Sequence, residues 1–432
     1  MAQLAAAAGD AGLERHYIEH GWLEGRAGTE RDVDAEGWAA AVQAALRVST
    51  HANLAHLSMK SARVQALRSA VPPEAFRGGP VLSDGPLERC LRHTRSKRPM
   101  DGFDDCAQYD TQISGEWVYA GLVYPHFGHM MAETIHRIIP SRRLFACRNW
   151  LFVGVRGPQP YSGFAGLPKF TQQALHFLEV DPDRVLVLNQ DAVVQCLHIV
   201  EQGSDLGAGP VSGYLHELRT FAQMRLDALR VSIPTSPLIY VSRKALSHEG
   251  GFLGESYLET ALEAEGFVLF QPENHPLHVQ MEFYRQARVI IFPEGSACHG
   301  IELLGDQMLE TCLLLVRRPS HQHAFERILA PRSRCFGAYA DAINLGTIAA
   351  HPIDGTPLSN FAVSVFNPQT LVEFLRRMAD VELTIFSLEA YHTAVRSDFD
   401  RYIDHHRAQS CLLSEKHCRI FRVTLCMYTP ST

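Results

Sequence analysis

The stretch R-V-I-I-F-P-E-G-S-A-C-H-G-I-E-L-L-G, residues 288–305, decides the fold of this chain. Its apolar residues 289–292 predict a buried strand, residues 293–296 predict a sharp turn, and a helix is expected to start directly afterwards. Such a strand–turn–helix aims free backbone N–H groups and the positive end of a helix dipole at one point, which suits a phosphate or a diphosphate. The stretch therefore predicts an anion site with Glu294 and His299 beside it.

Strand and helix patterns alternate on both sides of this stretch. Short apolar runs alternate with amphipathic segments between Trp117 and Ile239, and a second, more regular alternation runs from Leu238 to Val316. Alternation of this kind implies βαβ units and a mainly parallel sheet. Because 432 residues exceed one ordinary hydrophobic core, we predict an α/β protein with two Rossmann-like domains that face each other across a ligand cleft.

Helical extensions are expected on both sides of these domains. Residues 36–70 are rich in Ala, Leu and Arg, which predicts one or two helices, and the Pro and Gly residues that follow predict a linker. We therefore divide the chain into a helical N-terminal extension and linker over 1–80, a first Rossmann-like domain over 81–235, a second over 236–352, and a helical C-terminal extension over 353–432.

Composition and charge exclude several classes of protein. The formal net charge of -7 argues against a general nucleic-acid binder. The 10 cysteines are scattered without a C-x-x-C pair, so neither a zinc framework nor a disulfide scaffold is predicted, and a reducing compartment is expected. The N-terminus does not read as a secretory signal, and no stretch reaches the roughly 18 apolar residues of a membrane span. We expect a cytoplasmic protein, with any membrane association peripheral and at the inner face.

Five pieces of the second half resemble glycosyltransferase family 61 in their order and spacing. They are I-Y-V-S-R-K (239–244), G-E-S-Y-L-E-T-A-L (254–262), G-F-V-L-F-Q-P-E (266–273), Q-M-E-F-Y-R-Q-A (280–287) and F-P-E-G-S-A-C-H (292–299). Upstream, G-H-M-M-A-E-T-I-H-R-I-I-P (128–140) is similar to that family's short motif of a His and an acidic residue before an Arg and a Pro. The resemblance extends from Val118 to Val316.

The resemblance implies a GT-B-type fold and a specific kind of reaction. A hexosyl or pentosyl group would move from a nucleotide-sugar donor to a glycan or glycoconjugate acceptor, with inversion at the anomeric carbon and no essential metal. The nucleotide-sugar is then a co-substrate, and no cofactor is expected. The first Rossmann-like domain would bind the acceptor, and the second would bind the donor.

The donor side is expected at the carboxyl ends of the second set of strands. Arg243 directly follows an apolar strand, so its guanidinium can clamp a diphosphate at two points and stabilise the leaving nucleotide. Gly295 and Ser296 permit close backbone approach, and the hydroxyl can cap the next helix or donate to a phosphate. Glu294 is a partner for ribose or sugar hydroxyls, or for a neighbouring backbone N–H. Including two polar residues that bracket a neighbouring loop, the predicted donor-binding set is Arg243, Glu273, Gln280, Glu294, Gly295, Ser296 and His299.

The acceptor side is expected on a predicted helix of the first domain. His129, Glu133 and His136 follow one another at helical spacing and would share one face. An inverting transferase needs a base for the acceptor hydroxyl, and we predict Glu133 for this role, with His129 as its orienting neighbour or as the alternative base. Arg137 would position the acceptor or pair with the carboxylate, and His126 would contact the acceptor. The alternative is an amphipathic helix whose polar residues pair among themselves.

No metal site is predicted. The His–Glu–His face could hold a metal ion, but the metalloprotease spacing H-E-x-x-H is absent. Three Asp-x-Asp triplets, of the kind that metal-dependent transferases use, start at Asp32, Asp181 and Asp398. They fall in a predicted linker, a turn and a helix respectively. None follows a convincing strand, so we assign none of them to a cation.

The N-terminus adds a second resemblance. R-H-Y-I-E-H-G-W-L-E-G-R (15–26) is similar to the end of a short repeat that recurs in bacterial polysaccharide-associated glycosyltransferases. This indicates a role in the synthesis of bacterial surface polysaccharide. The proposed partners are thus a nucleotide-sugar and a glycan or glycoconjugate acceptor.

A function of another class stays open, namely a non-catalytic glycan-binding or scaffold protein on a decayed transferase fold. The family often carries Asn or Thr beside its motifs. Here Gly254 precedes Glu255, and Gly300 follows His299. Binding of nucleotide-sugars would distinguish the two functions, since a pure scaffold should bind none.

Overall fold

The computed structural model describes residues 52–69, 76–157, 161–231, 233, 238–351, 355–409, 411, 413 and 415–428. The repeat-like segment 15–26 and the triplet at Asp32 lie outside this part of the chain. By their internal contacts the residues form two compact units. Unit 1 takes residues up to Ile233 together with Glu273–Glu282 and His299–Met308, and unit 2 takes the remainder.

The units differ from the linear domain boundaries that the sequence suggested. Two segments predicted for the second domain, Glu273–Glu282 and His299–Met308, belong to unit 1. The second of these docks through Gly305, where an added Cβ would overlap the backbone of Arg219. Such close packing, which only glycine permits, ties the segment to a helix of unit 1. Alternating strand and helix patterns carry no information about contacts of this kind.

Unit 1 contains a 7-stranded mixed sheet in the order β2-β1-β9-β5-β6-β8-β7. Its centre, β9-β5-β6-β8, is parallel, and its edges are antiparallel. The strands of unit 1 are β1 His56–Gln65, β2 Gly79–Pro80, β3 Thr94–Arg95, β4 Arg98–Pro99, β5 Thr111–Leu122, β6 Trp150–Val153, β7 Tyr161–Ser162, β8 Val185–Leu188, β9 Ala192–Val200, β10 Ser204–Asp205 and β11 Gly209–Pro210.

Strand β1 corrects the helix predicted across this part of 36–70. Ala62 and Val64 are buried in the core of unit 1, whereas Ser61 and Arg63 are exposed, and β1 pairs antiparallel with β9. Residues with a good helix propensity therefore adopt a strand, because sheet pairing and burial outweigh the weak local preference. The helices of unit 1 are Pro86–Leu91, Phe127–His129, Ile138–Leu144, Lys169–Phe177 and Tyr214–Leu229.

Unit 2 contains a 5-stranded parallel sheet in the order β14-β12-β15-β16-β17. The strands are β12 Leu238–Val241, β13 Phe252–Leu253, β14 Val268–Phe270, β15 Val289–Pro293, β16 Leu309–Leu315, β17 Ser333–Tyr339, β18 Ala342–Gly346 and β19 Val363–Phe366. From β12 the chain adds β14 on one side of the sheet, and it then adds β15, β16 and β17 on the other side. The switch point between β12 and β15 is where open parallel sheets bind ligands.

The C-terminal residues are part of unit 2, although the sequence predicted a helical extension. Strand β19 joins β13 and β18 in a 3-stranded sheet. Leu371, Phe399 and Leu425 come from three successive helices and lie in the same buried cluster as Tyr240 of β12. The helices of unit 2 are Glu255–Ala264, Gln322–Leu329, Pro368–Ala379, Leu388–Ala408 and Glu415–Tyr428, while Leu277–Gln286 begins in unit 1 and ends in unit 2.

The predicted α/β class is confirmed, since both units combine helices with parallel or mixed sheets. Among the residues that the structure describes, no helix combines the length and the apolar content needed to cross a membrane.

Candidate functional site

Three neighbouring strands of unit 2 each end two residues before a candidate site residue. Arg243 follows β12, Gly295 follows β15 and Arg317 follows β16. The strands are adjacent and parallel, so these positions lie at the same edge of the sheet. Because this edge includes the switch point between β12 and β15, it is the expected ligand edge.

The Arg243 guanidinium lies directly against Gly295. An added Cβ at Gly295 would overlap the Nη1 atom of Arg243. The Nη2 atom donates to the backbone oxygen of Gly250 at 3.3 Å. The side chain is 7% exposed, and its Nε atom has no hydrogen-bond partner within the described part of the chain. A glycine in the turn is therefore required to seat a buried arginine at the end of β12.

Glu294 is fully buried and bridges two strand ends. Its Oε2 atom accepts hydrogen bonds from the backbone N–H groups of Arg317 at 2.8 Å and Arg318 at 2.6 Å. Its Oε1 atom accepts from Nε of Arg318 at 2.7 Å. The sequence suggested sugar hydroxyls or a backbone N–H as partners of Glu294. In the structure its carboxylate accepts from backbone N–H groups. Glu294 thus holds a pair of arginines that the sequence analysis did not identify.

Positive charge is in excess at this edge. Burial, followed by the charges of Arg243 and Arg318, lowers the pKa of Arg317 to about 9. The Nε atom of Arg317, like that of Arg243, is buried with no hydrogen-bond partner among the described residues. Glu294 and Glu255 are the carboxylates that contact these arginines. We call Arg243, Arg317 and Arg318 the arginine cluster, and its excess charge and spare donors suit an anion.

Glu255 contacts the arginine cluster through the backbone of Arg243. Its Oε1 atom accepts hydrogen bonds from the Tyr240 hydroxyl at 2.9 Å and from the Arg243 backbone N–H at 3.2 Å. Burial, with a smaller contribution from Glu259, raises the pKa of Glu255 to about 7. A large fraction of this carboxyl is therefore protonated at neutral pH, so it compensates only part of the positive charge.

A cavity of about 350 Å³ lies beside Glu255 in unit 2. Its walls include Lys244 and Ser256, and the helix Leu388–Ala408 contributes Asp398 and Arg401. Asp398 also accepts a hydrogen bond from the backbone N–H of Gly254 at 2.7 Å. The C-terminal part of the chain thus helps to form a polar cavity next to the arginine cluster.

The turn after β15 is followed by a short 3₁₀-helix, Ser296–Ile301, rather than the α-helix that the sequence suggested. So short a helix has little macrodipole. The positive potential expected there from a helix end is supplied instead by arginine side chains. Ser296 is partly exposed at the start of this helix, and His299 lies three residues further on, about 6 Å along the axis at 2.0 Å per residue.

In unit 1, Glu133 is the centre of a buried ion cluster. The Arg95 guanidinium binds it through Nε and through Nη2, the latter at 3.2 Å. The Nε2 atom of His93 lies 3.2 Å from Oε2, and the Nδ1 atom of His129 lies 3.6 Å from Oε1. Arg95 Nη2 also lies 2.9 Å from that Nδ1 atom. We call Arg95, His93, His129 and Glu133 the Glu133 cluster.

Glu133 is held in its ionised form. Burial by itself would raise its pKa, but the neighbouring His129 and His93 side chains, followed by Arg95, lower the pKa well below its usual value. A carboxylate of such low proton affinity is a weak base. The residues 130–134 form a π-helix and 135–137 a 3₁₀-helix, so the regular face predicted for this segment does not form. Wide helical turns of this kind recur at functional sites.

A second carboxylate–histidine pair lies in unit 1. The Nδ1 atom of His299 is 3.2 Å from Oε1 of Glu302, and Nε2 of His136 is 3.3 Å from Oε2 of the same carboxylate. His136 Nδ1 bonds the Tyr214 hydroxyl at 2.9 Å. The ring of His299 also packs against Gly128, with Nε2 3.2 Å from where a Cβ would lie. His136 thus contacts Glu302 rather than Glu133, and His299 lies in unit 1 beside Gly128, in the segment for which the sequence predicted acceptor binding.

Four further residues predicted for the site contact neither Arg243 nor Glu133 among the contacts that the structure describes. Arg137 is 1% exposed and donates to backbone oxygens of Val200 and Arg92. His126 is exposed, and its ring centre lies 5.1 Å from that of His129. Gln280 is buried and donates to the backbone oxygen of His275 at 2.8 Å. Glu273 is partly exposed, and both Glu273 and Gln280 belong to unit 1 rather than to the unit with Arg243.

Two groups of site residues were missed from the sequence. Arg317 and Arg318 directly follow an apolar strand. Arg243 was predicted on the same ground, so the same argument would have identified these two arginines. His93 and Arg95 lie in the basic run R-H-T-R-S-K-R, residues 92–98, which signals local positive charge but not its partner. Their role depends on a contact with Glu133, which is distant in sequence.

The comparisons with known proteins bear on this site. The family model described as Glycosyltransferase 61 matches residues 127–304, which confirms the resemblance over that range. No curated protein matches the chain. The matched range contains Glu133, Arg243, Gly295 and His299, whereas Arg95 and the arginines after β16 lie outside it. Residues 127–304 of the chain are therefore similar to glycosyltransferase family 61, and this match supports a glycosyltransferase activity.

Proposed function

We propose that the protein is an inverting, metal-independent glycosyltransferase of GT-B type that uses a nucleotide-sugar donor. The observation that carries this proposal is the arginine cluster, where buried guanidinium groups with spare donors meet at the switch point of a parallel sheet. A diphosphate is the part of a nucleotide-sugar that fits such a site. The acceptor is a glycan or glycoconjugate, in line with a role in bacterial surface polysaccharide synthesis.

The donor is proposed to bind in two parts. The diphosphate contacts Arg243 and the turn at Gly295, and the positive charge stabilises the nucleoside diphosphate as it leaves. The nucleoside occupies the cavity beside Lys244, whose volume of about 350 Å³ falls within the range of small-ligand sites. Arg317 adds charge to the same edge, so the leaving group is neutralised by protein cations.

The acceptor base is proposed to be His299, with Glu302 as its positioning residue. The acceptor oxygen attacks the anomeric carbon, the bond from that carbon to the phosphate oxygen breaks, and the hydroxyl proton moves to His299 Nε2. The contact of Nδ1 with Glu302 favours this arrangement, because it keeps the proton of the neutral ring on Nδ1. Glu133, predicted as the base, is instead proposed to hold His129 at the acceptor side, because its pKa is lowered.

Measurements of donor binding test whether the arginine cluster is the donor site. Calorimetry against UDP-, GDP- and CMP-sugars should identify a ligand for the wild-type protein. Arg243→Ala should raise the Kd of that ligand at least tenfold, whereas Arg334→Ala, which changes an exposed arginine of the same unit, should leave it unchanged. If the wild-type protein binds none of the panel, the non-catalytic scaffold replaces this proposal.

Turnover tests the reaction and its base. The protein should release a nucleoside diphosphate from donor and acceptor in the presence of EDTA, and strict dependence on added Mn²⁺ would contradict metal independence. His299→Ala should lower kcat at least a hundredfold with the donor Kd within threefold of wild type. If His299→Ala retains activity while Glu133→Gln abolishes it, Glu133 is the base.

A further inference from the structure

The outward face of β9 in unit 1 carries a thiol and an imidazole beside a carboxylate. Cys196 and His198 are two residues apart on the strand and share one face, while Leu197 between them is buried. Glu116 lies on β5 and is paired in register with Cys196. One ligand atom from each of these three residues lies within 4.8 Å of the others.

The distances are close to those of a tetrahedral metal centre. His198 Nε2 lies 3.7 Å from Oε2 of Glu116 and 3.9 Å from Sγ of Cys196. Zinc bonds of about 2.0–2.3 Å at tetrahedral angles place two ligand atoms about 3.4–3.6 Å apart. Movements of a few tenths of an ångström would bring Nε2 of His198 to the required separation from the other two ligand atoms, and the carboxylate and the thiol, which lie within 4.8 Å of each other, would have to approach by at most about 1 Å.

The imidazole is already oriented for this role. Ser58, opposite His198 on β1, has its Oγ atom 2.7 Å from Nδ1 of the ring. Phe145 stacks on the same ring with a centroid distance of 4.7 Å. A hydrogen bond to one ring nitrogen is the usual way in which proteins direct the other nitrogen at a metal. The ring of His198 thus presents Nε2 towards Cys196 and Glu116.

The carboxylate is positioned by an irregularity in β5. The pairing register shifts between Ile113 and Glu116. Gly115 within this bulge has a φ of 83°, a value that favours glycine, and its N–H donates to Oε1 of Gln195 at 2.7 Å. Bulges re-aim side chains and are typical near functional positions. This one brings Glu116 alongside Cys196.

We propose that Glu116, Cys196 and His198 form a metal site for a zinc-type divalent ion, with an open fourth position for water. A thiolate with an imidazole selects Zn²⁺ over Mg²⁺ and Ca²⁺, which prefer oxygen ligands. The site does not rest on the proposed glycosyl transfer, because its ligands lie on β5 and β9 and belong to neither the Glu133 cluster nor the arginine cluster. The ion is expected to stabilise the sheet of unit 1.

Cobalt binding tests the site without an activity measurement. The full-length protein, stripped with a chelator and reduced, is titrated with Co²⁺ and then with Zn²⁺. We expect one equivalent of Co²⁺ to give a thiolate-to-metal charge-transfer band, and one equivalent of Zn²⁺ to remove it. Cys196→Ser should abolish the band, whereas Cys106→Ser, which removes an exposed thiol elsewhere in unit 1, should retain it.

A second pair of variants covers the case in which Cys196→Ser does not fold. Glu116→Gln changes an exposed side chain and should raise the Kd for Zn²⁺ at least tenfold, and Ser58→Ala should raise it about tenfold or more through the ring of His198. Absence of the band in the wild-type protein, or a band that survives Cys196→Ser, would overturn the proposal. So would an unchanged Zn²⁺ affinity in Glu116→Gln.

Discussion

The two clusters of buried charge differ in how their charges are balanced. In unit 1 the Glu133 carboxylate is surrounded by Arg95 and two histidines, and Arg95 is partly exposed to water. In unit 2 the Glu294 carboxylate contacts Arg317 and Arg318, while a third arginine lies at the adjacent strand end. The first cluster surrounds one carboxylate with one arginine and two histidines, whereas the second sets three arginines against Glu294 and a partly protonated Glu255. The excess of buried positive charge is therefore what makes the second cluster the candidate anion site.

The largest effect on stability is expected from removal of the Glu294 carboxylate, which contacts two arginines of the arginine cluster. Glu294→Gln should lower the free energy of unfolding by about 3 kcal/mol or more, because loss of one partner leaves buried guanidinium groups uncompensated. Glu133→Gln should cost roughly half as much, since the Arg95 side chain is 23% exposed and water can solvate it. Urea unfolding of both variants measures the difference, and equal losses would contradict the contrast between the clusters.

A smaller, pH-dependent effect is expected at Glu255. Its folded pKa of about 7 lies above the ordinary value of 4.5, so folding favours the protonated form. The stability contributed by this group is fully present below about pH 4.5 and is lost as the pH rises through about 7. Glu255→Gln, which is always neutral, should therefore match the wild type near pH 4 and exceed it at pH 8 by at most about 3 kcal/mol.

Thermal unfolding at these two pH values measures this difference. A variant that is less stable than the wild type at both pH values would show that the ionised carboxylate is needed beneath Arg243. That result would also remove the excess charge inferred for the arginine cluster.

Gly295→Ala tests whether the arginine cluster, unlike the Glu133 cluster, contributes to donor affinity. The added methyl group would occupy the space of the Arg243 guanidinium, so the Kd of the donor should rise about tenfold, which corresponds to about 1.4 kcal/mol. Gly102→Ala is the control, because an added Cβ there meets Arg77 at an ordinary distance of 3.6 Å. Donor titration by calorimetry checks both variants, and unchanged affinity in Gly295→Ala would detach Arg243 from the donor site.

The smallest effect is expected for an arginine at the surface of the same unit. Arg334 pairs with Glu310 at 3.3 Å, but both side chains are more than half exposed. Arg334→Ala should change the free energy of unfolding by less than about 0.5 kcal/mol, as measured by urea unfolding. A loss comparable to that of Glu294→Gln would show that burial is not what distinguishes the arginine cluster.

The sequence predicted best what depends on neighbouring residues. The strand Val289–Pro293, the turn after it and the carboxyl end of β12 that carries Arg243 all follow from local patterns. The α/β class follows from the same alternation. Arg317 was also within reach, since it follows a strand in the same way as Arg243.

What the sequence did not predict depends on contacts between distant residues. Glu133 was predicted as the base, and its contacts with Arg95 and His93, 38 and 40 positions away along the chain, could not be read from the sequence, although they lower its pKa. The acceptor-side helix was expected to be regular, yet it contains a π-helix. His299 was expected on the donor side, and only packing at Gly128 and Gly305 shows that its segment belongs to unit 1.

The discontinuity of unit 1 has a consequence for how the chain folds during synthesis. Its last segment, His299–Met308, follows the first three strands of the parallel sheet of unit 2. Because a nascent chain emerges from its N-terminus, unit 1 cannot be completed before strand β15 has left the ribosome. A fragment that stops at Ile233 would lack Glu302, the carboxylate that contacts both His136 and His299. The two units are therefore expected to mature together, and the first is not a separable module.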